Sequence, residues 1–517
     1  MLIVNTEDRD SIDALDSDQR HWVYNGLDVV ITAEVRKNIL PEMDEVSTYT
    51  YQKALELQAP FMEMMLRGLP VDKRARARIR KSHEAQLAIV SAQLNRLVNE
   101  GLGWNIDFNA NSHTKVKELF YEKLALPVIK KRNSHGHMAP ASDRETLEKL
   151  GTAHFYAAPF VAHVLAIREF KKAIGFLKTE IDPDGHIRCN INLAGTNTGR
   201  VSSSVSDFGT GTNLQNVDPA NRGIFIAPKG RKFINIDLEQ ADSRGVGAIA
   251  WNCFVESHGE AWAGSYLDAC ESGDLHTTVC NMAWRDLPWP DERAGWRAIA
   301  DGIAYRDLTF RDMAKKLGHG TNYYGQPPTM AMHTKVPAQQ IADFQHNYFT
   351  AFPCIPEWQQ WTIDQLQSEG CLTNLFGRRR YFFGRRDDQQ IINAAIAYSP
   401  QGTTGDAINA GILNLWQYNN GETFQLHIQV HDSILLSIPE EQEDELVPLA
   451  NELMLAPIQL KRNREFIIPV EAQVGWNWGY ENKDNPHGLI KWKGSDSRHA
   501  PASTRPMPRR SVRKLLK

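Results

Sequence analysis

The chain has 517 residues, with 58 Lys and Arg against 62 Asp and Glu for a formal net charge of −4, and it is 42% hydrophobic and 23% charged. That length holds about three or four domains with a large core, and the near balance of charge excludes a uniformly basic nucleic-acid binder while allowing charge gathered on one face. No apolar run approaches the roughly 18 residues of a membrane span. The amino terminus carries no basic and apolar leader, and no Cys-x-x-Cys pair is present. A membrane partner, structural zinc and a disulfide framework are therefore disfavoured, and the cytoplasm is the default location.

In chain order, residues 20–40 read as a helix with Trp22, Val29, Val30 and Ile39 on its inner side. A helical stretch from about Tyr51 to Leu66 is broken at Gly68 and Pro70, and a second runs from about Arg74 to Glu100. From Ile181 to Asn216 the chain turns rich in Gly, Ser, Thr and Asn, which predicts loop or extended backbone. Phe233 to Asp237 reads as a short strand running into a helix, and a helical block follows from about Glu256 to Trp361. Phe424 to Ile438 alternates apolar and polar residues with a period of two, as a strand does. After Tyr480 the chain is rich in Pro, Ser and Arg and reads as a mobile tail.

Three places could carry chemistry. Phe424, Leu426, Ile428 and Val430 share one strand face, and Asp432 stands at the next position of that parity. An unpaired buried carboxylate is costly, so Asp432 is neutralised, matched by a cation, or placed at a hairpin tip. Asp237 closes the other strand, where it could equally cap a helix beginning near Leu238. Brought together, two such carboxylates would suit Mg²⁺, which binds through one or two carboxylates plus substrate phosphates, and hence two-metal phosphoryl transfer. The third place is RDMAKKLGHGTNYYG, in which Arg311, Lys315, His319 and Tyr323 recur every four residues and form a stripe on a helix. Arg and Lys one turn apart suit triphosphate oxygens, and an aromatic beyond them suits a base. Gly318 and Gly320, each costing about 1 kcal/mol in a helix, point to a close approach there. Two further basic segments are nucleic-acid candidates: GRRRYFFGRR from Gly377 to Arg386, and the tail from Glu481 to Lys517.

Taken together, TNTGRVSSS with NLQN, DLEQADSR, RDMAKKLGHGTNYYG, TNLFGRRRYF, SPQGTTGD, QVHDS and VGWNWGY resemble the DNA polymerase I family (family A), in the family's order, from about Glu56 to Tyr480. The resemblance implies an α+β right-hand fold with an antiparallel palm sheet, helical fingers and a mainly helical thumb. It divides the chain into residues 51–195 as thumb, 196–255 as the first part of the palm, 256–395 as fingers and 396–480 as the second part of the palm, with 481–517 as the basic tail. It implies a template-directed DNA polymerase acting in replication, with primer-template DNA and dNTPs as partners and two Mg²⁺ ions, replaceable by Mn²⁺, held by Asp237 and Asp432. Arg311 and Lys315 match residues that grip the triphosphate, Lys315 also counting as catalytic. His276 matches a histidine near the phosphates, Tyr323 the tyrosine beside the nascent pair, and His319 the position stacking near sugar and base. Arg200, Gln240, Gln401 and His431 match positions lining the primer terminus or minor groove, and Asn213 and Gln215 of NLQN are assigned to DNA.

The departures from the family pattern are as informative. Asp242 stands where the family has a Glu that blocks the ribose 2′ position, and Ser433 replaces the common acidic residue after the second Asp. YNGLD, with Tyr24 and Asp28, is similar to the last motif of the 3′-5′ exonuclease domain that precedes such polymerases, so residues 1–50 read as a remnant of that domain without its earlier carboxylates. A separate exonuclease subunit and other replisome proteins are then candidate partners, and a bacteriophage is the expected source. Tyr24 and Asp28 could alternatively pack and cap a linker helix. Two other readings stay open: a nucleic-acid-binding scaffold without catalysis, and an RNA polymerase or reverse transcriptase admitted by the short side chain of Asp242.

Overall fold

The computed structural model describes residues 12–132, 136–418 and 422–494. Helix α1, Ser17–Ile39, opens on a capping box: Asp16 Oδ1 accepts from the Gln19 N–H at 2.8 Å and the Asp16 N–H donates to Gln19 Oε1 at 3.1 Å. The expected inner side is not there. None of its residues is buried, and Trp22 is 69% exposed, with Val29, Val30 and Ile39 exposed beside it. Apolar residues are spread around the whole helix, so no single stripe can dock on a core. Tyr24 and Asp28 lie one turn apart in mid-helix, Tyr24 exposed and Asp28 half-buried, and neither caps it.

The break at Gly68 has a local cause. Its backbone is left-handed at φ +63°, and a Cβ there would lie 2.7 Å from the Ile187 carbonyl oxygen, so only glycine fits. Helix α2, Lys73–Arg96, follows, with Asp72 Oδ1 accepting from the N–H groups of Arg74 and Ala75 at 2.8 and 3.0 Å. It packs along α3, Ala158–Leu177. Segment 51–195 feeds two cores. Leu94, Val98, Phe120, Leu147 and Val164 build a separate small one, whereas Phe61, Leu69, Ile187 and Ile191 join the main core.

At the centre of the main core is a five-stranded antiparallel sheet. Its strands are β1 (Arg231–Leu238), β2 (Gln425–Val430), β3 (Ser433–Pro439), β4 (Val470–Gly475) and β5 (Ile490–Lys491), in the spatial order β2-β3-β1-β4-β5. β1 is therefore the middle strand, and Phe233, Ile234 and Ile236 are buried in it. Alternation fails in β2, because a bulge between Leu426 and Ile428 shifts the pairing by a residue and both side-chain parities are buried. The extra residue, His427, turns inward between the Gly68 carbonyl and Ser437 Oγ, at 2.9 and 3.0 Å. β5 corrects a second expectation: residues 481–494 are folded, with Leu489 buried, because this stretch closes the sheet edge against β4. The arginines of the expected tail from Arg498 onward, including Arg505, Arg509, Arg510 and Arg513, lie outside the described residues.

Helices frame the end of the sheet. α4, Ala241–His258, leaves directly from β1 and packs on α7, Gln389–Gln417, while α8, Glu443–Met454, lies against β1, β3 and β4. Between α4 and α7 in sequence stand α5, Leu275–Ala283, and α6, Phe310–Asn322, which pack on each other. Among the described residues no helix is long and apolar enough to cross a membrane.

Candidate functional site

Asp237 is the penultimate residue of β1, paired with Ser433 on one side and Glu471 on the other. It does not cap α4, whose first turn starts beyond Gln240, itself left-handed at φ 53°. Asp432 is the second residue of the two-residue turn joining β2 to β3, and His431 before it takes the left-handed backbone such turns demand, at φ 57°. The Leu238 N–H donates to the Asp432 carbonyl at 3.0 Å, which sets the turn beside the end of β1. Hairpin tip and charged site are thus one place.

The electrostatics follow from that crowding. Burial first, then the charges of Asp432, Glu471 and Glu239, push the Asp237 carboxyl up to about 7, with Lys315 opposing. Asp432 is raised as well, by burial and by Asp242, with Arg200 and His431 opposing. Two carboxylates are held together with too little positive charge around them. Among the described residues no group of three or more His, Cys, Asp or Glu is arranged to hold a metal. An all-oxygen pair of unbalanced carboxylates still fits Mg²⁺, whose remaining positions substrate and water can fill.

α6 faces this pair. Thr309 caps it, its Oγ1 accepting from the Asp312 N–H at 3.0 Å. Arg311, Lys315 and His319 follow one another at four-residue spacing along it, whereas Tyr323 is the residue just past its last turn, its ring edge-on to His319 at 4.8 Å between centroids. Arg311 is gripped by Asp274 at 2.9 and 3.2 Å. Asp274 also caps α5, whose second residue, His276, reaches the same cluster. Burial, then the charge of Arg311, pushes the His276 imidazole down to about 4, with Lys315 and His319 adding to it. Gly318 and Gly320 do sit in close packing, but the neighbours are internal: a Cβ would meet the Tyr348 ring at 3.6 Å and the Met330 methyl at 2.6 Å.

A third group sits between the aspartates and the end of α6. Asp242 Oδ1 accepts from Arg200 Nη2 at 2.9 Å and from Thr404 Oγ1 of α7 at 2.8 Å. The Tyr323 hydroxyl is buried against Asp242 and Gln401, and its pKa is raised by burial and by the Asp242 charge. Arg200 Nε and Gln240 Oε1 are buried and unpartnered.

Other assigned residues are engaged internally. Asn213 Nδ2 donates to the Ser203 carbonyl at 2.7 Å and its Oδ1 accepts from Ser203 Oγ at 2.6 Å, while Gln215 Nε2 donates to the carbonyl and Oε1 of Gln429 at 3.1 and 3.0 Å. The five arginines of GRRRYFFGRR are likewise occupied. Arg378 pairs with Asp406 at 2.7 Å, Arg379 with Asp44 at 2.5 Å and Arg385 with Asp387 at 2.9 Å. Arg380 lies over the Phe382 ring at 4.4 Å, and Arg386 donates to the Gln367 carbonyl at 2.7 Å. The Arg385–Asp387 pair is exposed and local, whereas the partners of Arg378 and Arg379 lie far along the chain.

Sequence reasoning missed Asp274, Glu239, Glu471 and Thr404. Asp274 carried a signal, an N-cap residue two positions before His276. Glu471 carried one too, at the head of the alternating Val470–Gly475. Nothing local marks Thr404, a buried threonine in a helix interior.

An antiparallel sheet bearing paired carboxylates at its central end, with Lys315 of a cationic helix near them, has the chemistry that phosphoryl transfer requires. The chain belongs to DNA polymerase family A, whose description matches residues 74–251 and 302–480. It is 26% identical over 387 residues to the thermostable DNA polymerase I of Thermus aquaticus, covering 71% of this chain and 41% of that protein. It is 26% identical over 442 residues to the DNA polymerase I of Caldicellulosiruptor bescii, covering 81% and 46%. The chain thus spans less than half the length of either relative. Among solved structures it is similar to the POL domain of Pol1 from M. smegmatis in complex with DNA primer-template and dNTP, with a TM-score of 0.65 and 22% identity over 82% of this chain and 70% of that one. The fold is the α+β right-hand polymerase fold expected from the sequence.

Proposed function

We propose that this chain is a template-directed DNA polymerase that adds dNTPs to a primer 3′ end in DNA replication. The observation that carries the reading is the pairing of Asp237 with Asp432, with Lys315 close enough to oppose the rise of the Asp237 pKa. Two Mg²⁺ ions, or Mn²⁺ in their place, would be held by these carboxylates and would supply Lewis-acid stabilisation of the phosphoryl oxygens. Lys315 and Arg311 bind the triphosphate from α6, and Asp274 holds the Arg311 guanidinium ready for it, releasing it as phosphate oxygens arrive. His276, kept neutral by burial and then by its cationic neighbours, can donate a hydrogen bond to a phosphate oxygen without adding charge. Arg200, Gln240, Gln401 and His431 border the place where a primer terminus would sit beside Asp432, and Tyr323 and His319 offer rings to the nascent pair.

In the domain division we propose, residues 51–195 form the thumb, 196–255 and 396–480 the palm, and 256–395 the fingers. A separate 3′-5′ exonuclease would supply proofreading, as the likeness of YNGLD on α1 to the last exonuclease motif suggests. A cytoplasmic setting, in the host if a bacteriophage encodes the chain, accords with this reading. The test is extension of a 5′-labelled primer on a DNA template with Mg²⁺ and dNTPs, run beside Asp432→Asn. Extension by the wild type and its loss in the variant are expected; tight primer-template binding with no extension would sink the reading in favour of a scaffold.

A further inference from the structure

The turn that carries Asp432 has three consecutive carbonyls bound. Ser433 Oγ donates to the Val430 carbonyl at 3.0 Å, the Gln429 side-chain amide donates to the His431 carbonyl, and the Leu238 N–H donates to the Asp432 carbonyl at 3.0 Å. The middle bond is the unusual one. Gln429 is only 2% exposed and stands between the buried Ile428 and Val430, where an amide is costly unless fully bonded. The carbonyl it holds belongs to His431, whose left-handed backbone at φ 57° lacks the freedom of glycine. Such strain persists where the surroundings over-determine it.

The other end of the Gln429 amide shows what aims it. Its Oε1 accepts from Gln215 Nε2 at 3.0 Å, and Gln215 Nε2 also donates to the Gln429 backbone carbonyl at 3.1 Å. A carboxamide is planar, so fixing its oxygen directs its nitrogen at His431, and both hydrogens of the Gln215 amide are taken up by Gln429. Gln215 is itself anchored. It lies in the short turn Leu214–Asn216, where its N–H donates to Asn213 Oδ1 at 3.1 Å, and Asn213 Nδ2 donates to the Ser203 carbonyl at 2.7 Å. Ser203 sits in the strand Ser202–Ser204, paired with Asn190–Asn192. One line of hydrogen bonds thus runs from Ser203 through Asn213, Gln215 and Gln429 to the peptide that joins His431 to Asp432.

We propose that Gln429, aimed by Gln215, is a positioning residue for the polymerase reaction: it fixes the peptide between His431 and Asp432 and so the direction in which the Asp432 carboxylate meets Asp237. The inference rests on the polymerase reading, and it makes Gln215 a support of the turn in place of a DNA contact. Loss of either amide lets His431 relax from its left-handed backbone and swings Asp432 away from Asp237.

The test uses Gln429→Met, Gln215→Met and the double variant, because Met keeps an unbranched, flexible side chain without the amide. Three quantities are read: the rate of single-nucleotide addition per active site at saturating dNTP, the Kd for primer-template, and Mn²⁺ binding to the free protein, followed by the paramagnetic resonance of unbound Mn²⁺. Gln429→Met should lower the rate by about a hundredfold, as small misplacements of reacting groups do, and weaken Mn²⁺ binding by about tenfold, as lost support of a ligand does. Gln215→Met should lower the rate by about tenfold with primer-template Kd unchanged. The double variant should be no slower than Gln429→Met, since members of one hydrogen-bonded line are not additive. A fall in the fraction of active protein alone, with the rate per active site and Mn²⁺ binding of wild type, means a merely structural role and overturns the proposal. Weaker primer-template binding in Gln215→Met, or a double variant slowed by the product of the single losses, overturns it in favour of a DNA contact. Each of these outcomes leaves the polymerase reading standing, whereas no extension by wild type overturns both. Should Gln429→Met fail to fold, Gln215→Met carries the test, and a wild-type rate there overturns the proposal.

Discussion

The backbone N–H of Leu238 donates to the carbonyl of Asp432 at 3.0 Å, tying the end of the central strand to the tip of a hairpin far along the chain. That bond holds the Asp237 and Asp432 carboxylates in one crowded place although each raises the free energy of the other. Charge repulsion is retained here against stability, as it is at functional sites.

Removing the repulsion should therefore separate activity from stability. Asp432→Asn is expected to reduce primer extension by about three orders of magnitude, the loss of several kcal/mol of charge stabilisation. The same change should raise unfolding stability by about 1 kcal/mol. Extension kinetics and thermal unfolding on the same preparation check both; a variant that is inactive and also less stable would contradict the account.

Arg311 and Asp274 make a second testable pair. Arg311→Ala removes a charge-assisted grip on the triphosphate and should weaken dNTP binding by about 1.5–3 kcal/mol, seen mainly as a higher KM. Asp274→Ala loses the cap of α5 as well, so it should cost about 1 kcal/mol of stability that Arg311→Ala does not. Urea unfolding of the two variants distinguishes them.

His427 gives a pH dependence with a definite sign. Complete burial pushes its imidazole from 6.5 down to about 3. The folded state therefore binds fewer protons than the unfolded state between those values, so the contribution of His427 is whole above about pH 6.5 and is lost as pH falls toward 3. The slope reaches about 1.4 kcal/mol per pH unit. His427→Gln should lack this slope, so the stability gap between wild type and variant narrows from pH 7.5 to pH 5. A constant gap in urea titrations at the two pH values would count against it.

Two tryptophans should behave oppositely. Trp358 is fully buried in the main core, and Trp358→Ala should cost about 3–5 kcal/mol. Trp22 is 69% exposed on α1, and Trp22→Ala should stay within about 0.5 kcal/mol of wild type. Chemical denaturation of both settles whether α1 lies free of the core.

Much of the site was legible in the residues. The alternation around Asp432, the strand ending at Asp237 and the four-residue spacing of Arg311, Lys315 and His319 are local patterns, and a strand or helix turns such spacing directly into a shared face. The same reasoning failed where burial had to be guessed. The apolar residues of α1 were expected inside and are exposed, because periodicity says which side chains align but not whether anything covers them. The arginines after Gly377 read as a nucleic-acid candidate, and what local pattern could not show is that Arg378 and Arg379 pair with Asp406 and Asp44, neighbours distant in sequence.

By itself, then, the sequence determined the kinds of side chain available, their order and their local faces: two carboxylates at strand ends, a cationic helix, a glycine at position 68 where no other residue fits. Tertiary structure alone decided that Glu471 stands opposite Asp237, that Asp274 holds Arg311, and that Thr404 and Arg200 share one oxygen of Asp242. The reason is physical. Local patterns arise from backbone geometry within a few residues, whereas charge coupling, burial and hydrogen-bond partnership depend on distances in space, and those are set only when the sheet closes and the helices pack around it.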